Sequence, residues 1–491
     1  MKFKFLGRVH ELEALNNLWN SKGAEFLILY GRRRVGKTAL LTEWMRRRPQ
    51  RSIYWVASQT SSSAQLRSFS QAVYNFSNPN TAAPDSFSFA SWEQALQQVG
   101  VLAERDRLAL LIDEFTYMLE VDPGIAGQLQ NLWGHLLSKR NLLLCLSGSH
   151  LGMMKREFLS YQAPLYGRAS AQLYLQPFPF GSTHLCFPKF SAVDRVAIYS
   201  IFGGVPAYWE RIDPTKSVSR NIRLQLLTPN NLLQAEPRLL LQDFVSEPHN
   251  YLAIISAISN GAHTVKEIGA TAGLPSGHIS KYLSVLTDSG FVERRIPLTE
   301  AKTLRAGRYH ITDPYLRFYY RFLAGRQEQL ALRIQDQALA EISKHMIDFI
   351  GKYTWEELCR EWTLRAGAAG ELPYLPDEVG STWNATAQGD VVGINSMEKT
   401  LILGECKWTS TPNDRRSIAD LIEAKAPRTV PKHGKWKVFF LGFSRGGWTS
   451  GAIAYQNQIN RKPVTGSNWV STGMRLVELD KLDRDLAKWT R

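Results

Sequence analysis

Gly31-Arg-Arg-Arg-Val-Gly36-Lys37-Thr38 decides the reading of this chain. It has the spacing G-x-x-x-x-G-K-[ST], follows an apolar run, Phe26-Leu-Ile-Leu-Tyr30, and opens a helix-like segment, Ala39-Leu-Leu-Thr-Glu-Trp-Met45. Strand, glycine turn and helix start in that order suit a bound phosphate. The glycines let the backbone turn tightly, so its N–H groups and the positive end of the helix point at a β-phosphate. The expected cradle is Gly31, Arg32, Arg33, Arg34, Val35, Gly36, Lys37, Thr38 and Ala39. Lys37 would reach the β- and γ-phosphates, and Thr38 would offer its hydroxyl to Mg²⁺. The plain alternative is a glycine turn beside a surface lysine.

A second stretch weakens that alternative. Leu108-Ala-Leu-Leu-Ile112 is continuously apolar, as a parallel strand covered on both faces must be, and it ends in Asp113-Glu114. Ligand sites of α/β sheets lie at the carboxyl ends of strands. Asp113 is placed to hold the Mg²⁺ shell, and Glu114 to polarise the attacking water. A third run, Asn141-Leu-Leu-Leu-Cys-Leu146, ends in Ser147-Gly-Ser149, where the Ser149 hydroxyl can sense a γ-phosphate. The residues predict an ATP or GTP site. Further on, Arg168 in Pro164-Leu-Tyr-Gly-Arg168 is either a finger on the γ-phosphate or half of a salt bridge.

The chain is 491 residues long, enough for about three domains or more. Lys+Arg minus Asp+Glu is 59 − 44 = +15. Such a surplus favours nucleic acid or another polyanion, with diffuse solubilising charge as the bland alternative. The cysteines (Cys145, Cys186, Cys359, Cys406) lack metal spacing and read as small buried hydrophobes of a reducing compartment. No apolar run approaches the ~20 residues of a membrane span. The start, Met1-Lys-Phe-Lys-Phe-Leu-Gly-Arg8, lacks the apolar core of a signal peptide. A soluble cytoplasmic protein without membrane contact is expected.

Strand and helix patterns alternate over residues 1–175, the mark of a parallel sheet with helices on both faces. The Ser/Thr/Asn/Pro-rich stretch from Ser58 to Ser91 reads as a loop around a short helix. Residues 176–245 turn mostly helical and read as a lid. Residues 246–325 read as a winged helix: helices at Tyr251–Ser259, Thr264–Thr271 and His278–Thr287, then strands at Phe291–Ile296 and Arg308–Ile311. The third helix would present His278, Ser280 and Lys281 to a major groove. Arg294, Arg295, Lys302, Arg305 and Arg308 make the wing basic, which suits phosphate contacts. Winged helices also serve as docking modules, and the residues leave both uses open.

Residues 326–491 hold a second candidate site. Asp390-Val-Val-Gly-Ile-Asn395 and Thr400-Leu-Ile-Leu-Gly-Glu-Cys-Lys-Trp408 read as a hairpin centred near Met397, with Asp390 about opposite Gly404 and Glu405. Alternation puts Glu405 and Lys407 on one face and Cys406 on the other. Two carboxylates are hard oxygen donors for Mg²⁺ or Mn²⁺, with Lys407 holding the nucleophile. Upstream, Trp355, Leu358, Cys359 and Trp362 form a helical stripe that Glu356 borders, while Glu357 is expected to face solvent. The plain alternative is a solvated hairpin with ordinary surface charges.

These motifs together resemble the archaeal-type ATPase family of the STAND/AAA-related P-loop class, whose members carry a C-terminal domain similar to PD-(D/E)xK restriction-endonuclease-like nucleases. The resemblance covers nearly the whole chain. It rests on Phe5-Leu-Gly-Arg8 with Glu11-Leu12, the Gly31–Thr38 loop, Leu111-Ile-Asp-Glu114, Ser147-Gly-Ser149 and Pro164–Arg168. Gly203-Gly-Val-Pro206, Asp313-Pro314 and Gly404-Glu-Cys-Lys-Trp408 complete it. It implies a multidomain α/β chain: P-loop NTPase sheet, helical lid, winged helix and C-terminal restriction-endonuclease-like domain, in that order. It also implies ATP as the nucleotide, with Gly7 and Arg8 near the adenine. Asp390, Glu405 and Lys407 match the nuclease signature and Glu356 the helix acid. Relatives often carry an acidic residue two positions before the strand aspartate, where this chain has Gln388.

The function expected from all of this is an ATPase that binds DNA and cleaves it at a metal-dependent C-terminal site under nucleotide control. The alternative is a nucleotide-switched DNA-binding or signalling protein whose nuclease-like domain is inactive. A homo-oligomer, even a ring-forming motor, is compatible with Arg168 and the charge, but no helicase motif supports a motor.

Overall fold

Tight apolar runs with little to distinguish their two sides become the central strands of a parallel sheet. The computed structural model describes residues 5–47, 51–161, 163–242, 248–299, 307–384 and 386–490. Lys302 and Arg305 of the expected basic wing lie outside the described residues. The first sheet contains β1 (Glu25–Tyr30), β2 (Ser52–Val56), β3 (Leu108–Asp113), β4 (Leu142–Gly148) and β5 (Ala171–Tyr174), in the order β2-β3-β4-β1-β5. All four pairings are parallel. Phe26 and Ile28 pack on one face with Leu108, Leu110 and Ile112, and Leu27 and Leu29 on the other with Ala109 and Leu111. Alternate residues of one strand thus enter different cores, which is why these strands show no polar face. The Ser58–Ser91 stretch holds more helix than its composition suggests. Ser61 caps a 16-residue helix, Ser62–Ser77, that buries Phe69 and Val73. An apolar stripe has overridden weak intrinsic propensity there.

The chain divides into two compact units. The first runs to Pro177 and takes in Val205–Ala207; the second holds Phe178–Gly204 and everything from Tyr208 onward. Within the second unit, helices Pro248–Ser259, Val265–Ala272 and Ser276–Asp288 precede a two-stranded antiparallel ribbon. The ribbon strands are β6 (Val292–Arg295) and β7 (Arg308–Ile311). Thr264 and Glu267 form a reciprocal cap at the second helix, and Gly273 ends it at φ 66. Ile254, Ile258, Ile268, Ile279, Leu283 and Ile311 share one core. His278, Ser280 and Lys281 are exposed.

The ribbon is less free than its charges suggest. Arg295 pairs with Glu293 and with Glu357, and Arg308 lies 4.8 Å from the Trp383 ring. His310 of β7 stacks on His263, with ring centroids 4.7 Å apart. Burial, then nearby Arg295 and His263, push the His310 pKa down to about 2. Unfolded His310 takes a proton below about pH 6.5 while folded His310 stays neutral, so stability is retained above that pH and lost as pH falls below it. The expected loss is up to about 2 kcal/mol between pH 6.5 and 5. Melting curves at both pH values should show a smaller acid loss for His310→Gln than for wild type.

The second sheet follows the helix Glu356–Ala368. It is built from β8 (Glu378–Trp383), β9 (Gln388–Asn395), β10 (Thr400–Lys407), β11 (Trp436–Ser444) and β12 (Trp469–Glu478), in the order β12-β11-β10-β9-β8. β8, β9 and β10 form an antiparallel meander, and β10, β11 and β12 run parallel. A helical stretch from Arg415 to Thr429 crosses from β10 to β11, and helix Ser450–Arg461 from β11 to β12. Val392, Leu401, Leu403, Ile418, Ile422, Val438 and Phe440 share its core. No helix among the described residues is long and apolar enough to cross a membrane.

Candidate functional site

β1 lies between β4 and β5, and its carboxyl end runs into the glycine loop. The loop is tight. A Cβ on Gly31 would sit 2.3 Å from the Leu175 carbonyl oxygen, and Gly36 has φ +96. Arg34 shares that left-handed region at φ 69, an uncommon place for a side-chain-bearing residue. Lys37 begins the helix Lys37–Arg47 and is buried. Its Nζ donates to the carbonyls of Gly31 at 3.0 Å and Arg32 at 3.3 Å, so the ammonium is folded back under the loop. Burial lowers its pKa, and Glu114 and Asp113 oppose that shift.

Asp113 ends β3 fully buried, yet its carboxylate is well partnered. Oδ2 accepts from the Thr38 hydroxyl at 2.6 Å and from Tyr54 at 3.1 Å, and Oδ1 accepts from the Glu114 N–H at 3.0 Å. Burial and the neighbouring Asp113 raise the Tyr54 pKa, so this phenol stays a proton donor. Glu114 sits at φ 53, and its Oε2 accepts from the Ser149 hydroxyl at 2.6 Å. Ser149 thus holds the carboxylate that the sequence assigns to the attacking water. Thr38 and Asp113 are adjoining hard oxygen donors, a set that fits Mg²⁺. The ion would screen the phosphates of a bound nucleotide.

Arg33 donates to the Tyr117 hydroxyl at 2.6 Å. Arg8, preceded by Gly7 at φ 63, itself has φ 60. It donates to Val35 O at 3.1 Å and Gln176 O at 2.7 Å and pairs with Glu11 at 2.9 Å. It therefore fastens the glycine loop to the segment after β5. Val35 is buried and Ala39 exposed. Arg168 is exposed, and among the described residues no ion pair restrains it. Tyr54 was not read from the sequence; its position two residues before the end of an apolar strand was the available signal.

Glu114→Gln should keep nucleotide affinity within a few-fold and lower turnover by about 10² or more, because it removes charge from the water-polarising group and leaves the phosphate loop intact. Equilibrium binding of a fluorescent ATP analogue and phosphate release, measured on the same preparation, separate the two effects.

The second unit gathers the other predicted side chains. β9 and β10 pair with Val391 opposite Gly404, which brings Asp390 level with Glu405. Asp390 Oδ2 accepts from the Cys406 N–H at 3.0 Å. Lys407 Nζ donates to Glu405 Oε1 at 2.8 Å, and Lys425 Nζ to Glu405 Oε2 at 2.6 Å. Arg360 donates to the Asp390 carbonyl at 2.8 Å and to Glu356 Oε2 at 3.3 Å, tying the helix acid to the strand. Burial and then Glu405 raise the Asp390 pKa; burial and then Asp390 raise that of Glu356. Lys425 and Arg360 were missed because nothing in their local spacing marks them.

Glu357 corrects one expectation. It does not face open solvent but takes both guanidinium nitrogens of Arg317 at 2.8 Å each, and Arg295 at 2.8 Å. Burial opposes its charge, but these arginines outweigh burial and hold its pKa at about 2. The helix period alone could not show that β6 and the helix Pro314–Phe322 cover this side.

Among the described residues, no three His, Cys, Asp or Glu side chains gather closely enough to hold a metal ion. Asp390 and Glu405 are hard oxygen donors near enough for their charges to repel, and lysines occupy both oxygens of Glu405. Gln388, two residues before Asp390, is exposed.

Residues 5–212 match a family model described as an ATPase domain predominantly from Archaea. Residues 319–418 match one described as archaeal and bacterial proteins of unknown function. An uncharacterized protein of Methanocaldococcus jannaschii is 27% identical over 404 residues, 82% of this chain and 87% of its own length. An uncharacterized ATP-binding protein of the same organism is 51% identical over 41 residues, 8% of this chain and 70% of that protein. Among solved structures, a Walker-type ATPase of Pyrococcus abyssi aligns with TM-score 0.49 and 16% identity, covering 65% of this chain and 96% of that one. The glycine loop, its buried lysine, the Thr38–Asp113 pair and the match over residues 5–212 identify this part of the chain as an ATP-binding P-loop ATPase domain.

Proposed function

We propose that the protein is an ATP-controlled nuclease acting on DNA, in which Mg²⁺-dependent ATP binding and turnover at the glycine loop govern a metal-dependent phosphodiesterase site at Asp390, Glu405 and Lys407. Glu114 activates the water that attacks ATP, and Ser149 releases it when the γ-phosphate arrives. Arg168, exposed and with no ion pair among the described residues, suits a finger offered to the nucleotide of a second copy. At the C-terminal site a divalent ion, Mg²⁺ or Mn²⁺, would stabilise charge on the scissile phosphate, while Lys407 orients water and Glu356, with its raised pKa, can hold a proton.

The observation that carries this reading is the convergence of Asp390, Glu405 and Lys407 at the ends of two adjacent strands, beside Glu356. A helix, an antiparallel meander, a crossover and a parallel strand surround them, which supports the restriction-endonuclease-like reading. Three helices and a ribbon support a winged helix, with His278, Ser280 and Lys281 exposed where DNA would lie. In this reading residues 1–175 are the P-loop ATPase domain, 176–245 the helical lid, 246–325 the winged helix and 326–491 the nuclease-like domain. The +15 charge supports a polyanionic partner.

A second reading draws on a different observation. Both oxygens of Glu405 are held by lysines, which favours a resting state that never cuts. The protein would then be a nucleotide-switched DNA-binding or signalling protein. Supercoiled plasmid incubated with Mg²⁺ or Mn²⁺, with and without ATP, separates the two. Nicked or linear product supports the nuclease. Intact plasmid with ATP-dependent retention of DNA supports the switch.

A further inference from the structure

Glu405 carries a second lysine that the strand motif does not predict. Lys425 Nζ lies 2.6 Å from Oε2 while Lys407 Nζ lies 2.8 Å from Oε1. Glu405 is 4% exposed and the Lys425 side chain 23%, so the carboxylate is sealed in and the lysine keeps a path to solvent. One lysine is enough to neutralise one carboxylate. The second lysine balances Asp390, which lies level with Glu405 and feels both lysines.

The backbone under Lys425 is one of four π-helical turns among the described residues. Lys425 ends a π-helical turn, Leu421–Lys425, inside the crossover from β10 to β11. Such single turns inside helical runs occur frequently at functional sites. This one is anchored: Leu421 and Ile422 are buried with Ile418 and Ala426 against the sheet. The turn therefore aims Lys425 from a fixed base.

We propose that Lys425 is a second substrate-facing lysine, which occupies Glu405 while no divalent ion is bound and passes to a non-bridging phosphate oxygen of the nucleic acid once an ion takes the carboxylate. The proposal rests on the nuclease-like reading of Asp390, Glu405 and Lys407. Ion binding then frees a cation for phosphate, and phosphate binding removes a competitor of the ion, so each tightens the other. Lys407 keeps the water, and Lys425 keeps the backbone of the substrate.

The test uses full-length protein without nucleotide, and reads binding apart from cutting. Fluorescence anisotropy of a labelled DNA duplex is recorded with and without Ca²⁺ for wild type, Lys425→Ala, Lys425→Arg and Asp390→Ala, with melting curves as the check on folding. Ca²⁺ should tighten duplex binding by wild type about tenfold. Lys425→Ala should lose that gain and Lys425→Arg should recover most of it. Calorimetry should show that Lys425→Ala binds Mn²⁺ as tightly as wild type or more so, because a competing ammonium has gone. A Ca²⁺ gain that survives in Lys425→Ala but is lost in Asp390→Ala would overturn the role of Lys425 and leave the nuclease-like reading standing. A gain that survives in Asp390→Ala, or none in wild type, overturns both.

Discussion

Lys37→Ala is expected to weaken ATP binding about a hundredfold and to remove measurable turnover. Lys37 is the charged group that the glycine loop is built around: it is 5% exposed, with its ammonium satisfied by the carbonyls of Gly31 and Arg32. Those carbonyls hold the charge in place without neutralising it. A bound triphosphate replaces weak neutral acceptors with charged oxygens, each charge-assisted bond contributing about 1.5–3 kcal/mol. Two such bonds lost amount to at least the stated factor. Turnover suffers further, because charge builds on the transferred phosphoryl oxygens as the bond breaks. Isothermal titration with ATP and a phosphate-release assay read the two losses separately. Wild-type affinity in the variant would remove the glycine loop from the nucleotide site.

Asp390→Asn is the second large effect. The amide keeps the shape of the carboxylate but gives up the charge that, with Glu405, would hold a divalent ion. Burial and Glu405 already raise the Asp390 pKa, and relief of that repulsion is what an ion supplies. Cleavage of plasmid DNA should fall by about 10³ or more, while ATP turnover keeps its wild-type rate. The acid site should also fold at least as well as in wild type, because a buried charge repulsion has been removed. Undiminished cleavage in Asp390→Asn would place the cutting elsewhere.

Much of the first unit was legible because its chemistry is local. Gly31 to Thr38 are contiguous, and Asp113 and Glu114 stand directly after a run whose apolar character admits few other structures. Glycine spacing and strand ends carry that information without knowledge of the fold. β2 and β5 were harder: Ser52–Val56 and Ala171–Tyr174 are short, and they gain their role from neighbours in the sheet rather than from their own pattern.

The second site was legible along one hairpin and no further. Period-two alternation placed Glu405 and Lys407 on one face, and the turn near Met397 set Asp390 about opposite Gly404 and Glu405, which agrees with the pairing of Val391 with Gly404. β8 went unread because Glu378–Trp383 mixes small and polar residues along its edge position. Lys425 lies 20 residues beyond Glu405 on another element, and only tertiary packing makes them neighbours. Glu357 shows the same limit from the other side: a helical wheel separates a residue from its own stripe but cannot see a covering element such as β6. Of the wing charges, Arg295 is committed to Glu357 rather than left for phosphate, which its own strand could not show.

The most direct test of nucleotide control is the rate of plasmid cleavage by wild type and Lys37→Ala, with Mn²⁺ present, as ATP is raised from zero to saturation. Wild type should change its cutting rate at least tenfold across the titration and Lys37→Ala should not respond. Equal ATP responses in the two proteins, or cutting by wild type that ignores ATP altogether, would contradict control of the C-terminal site by the glycine loop.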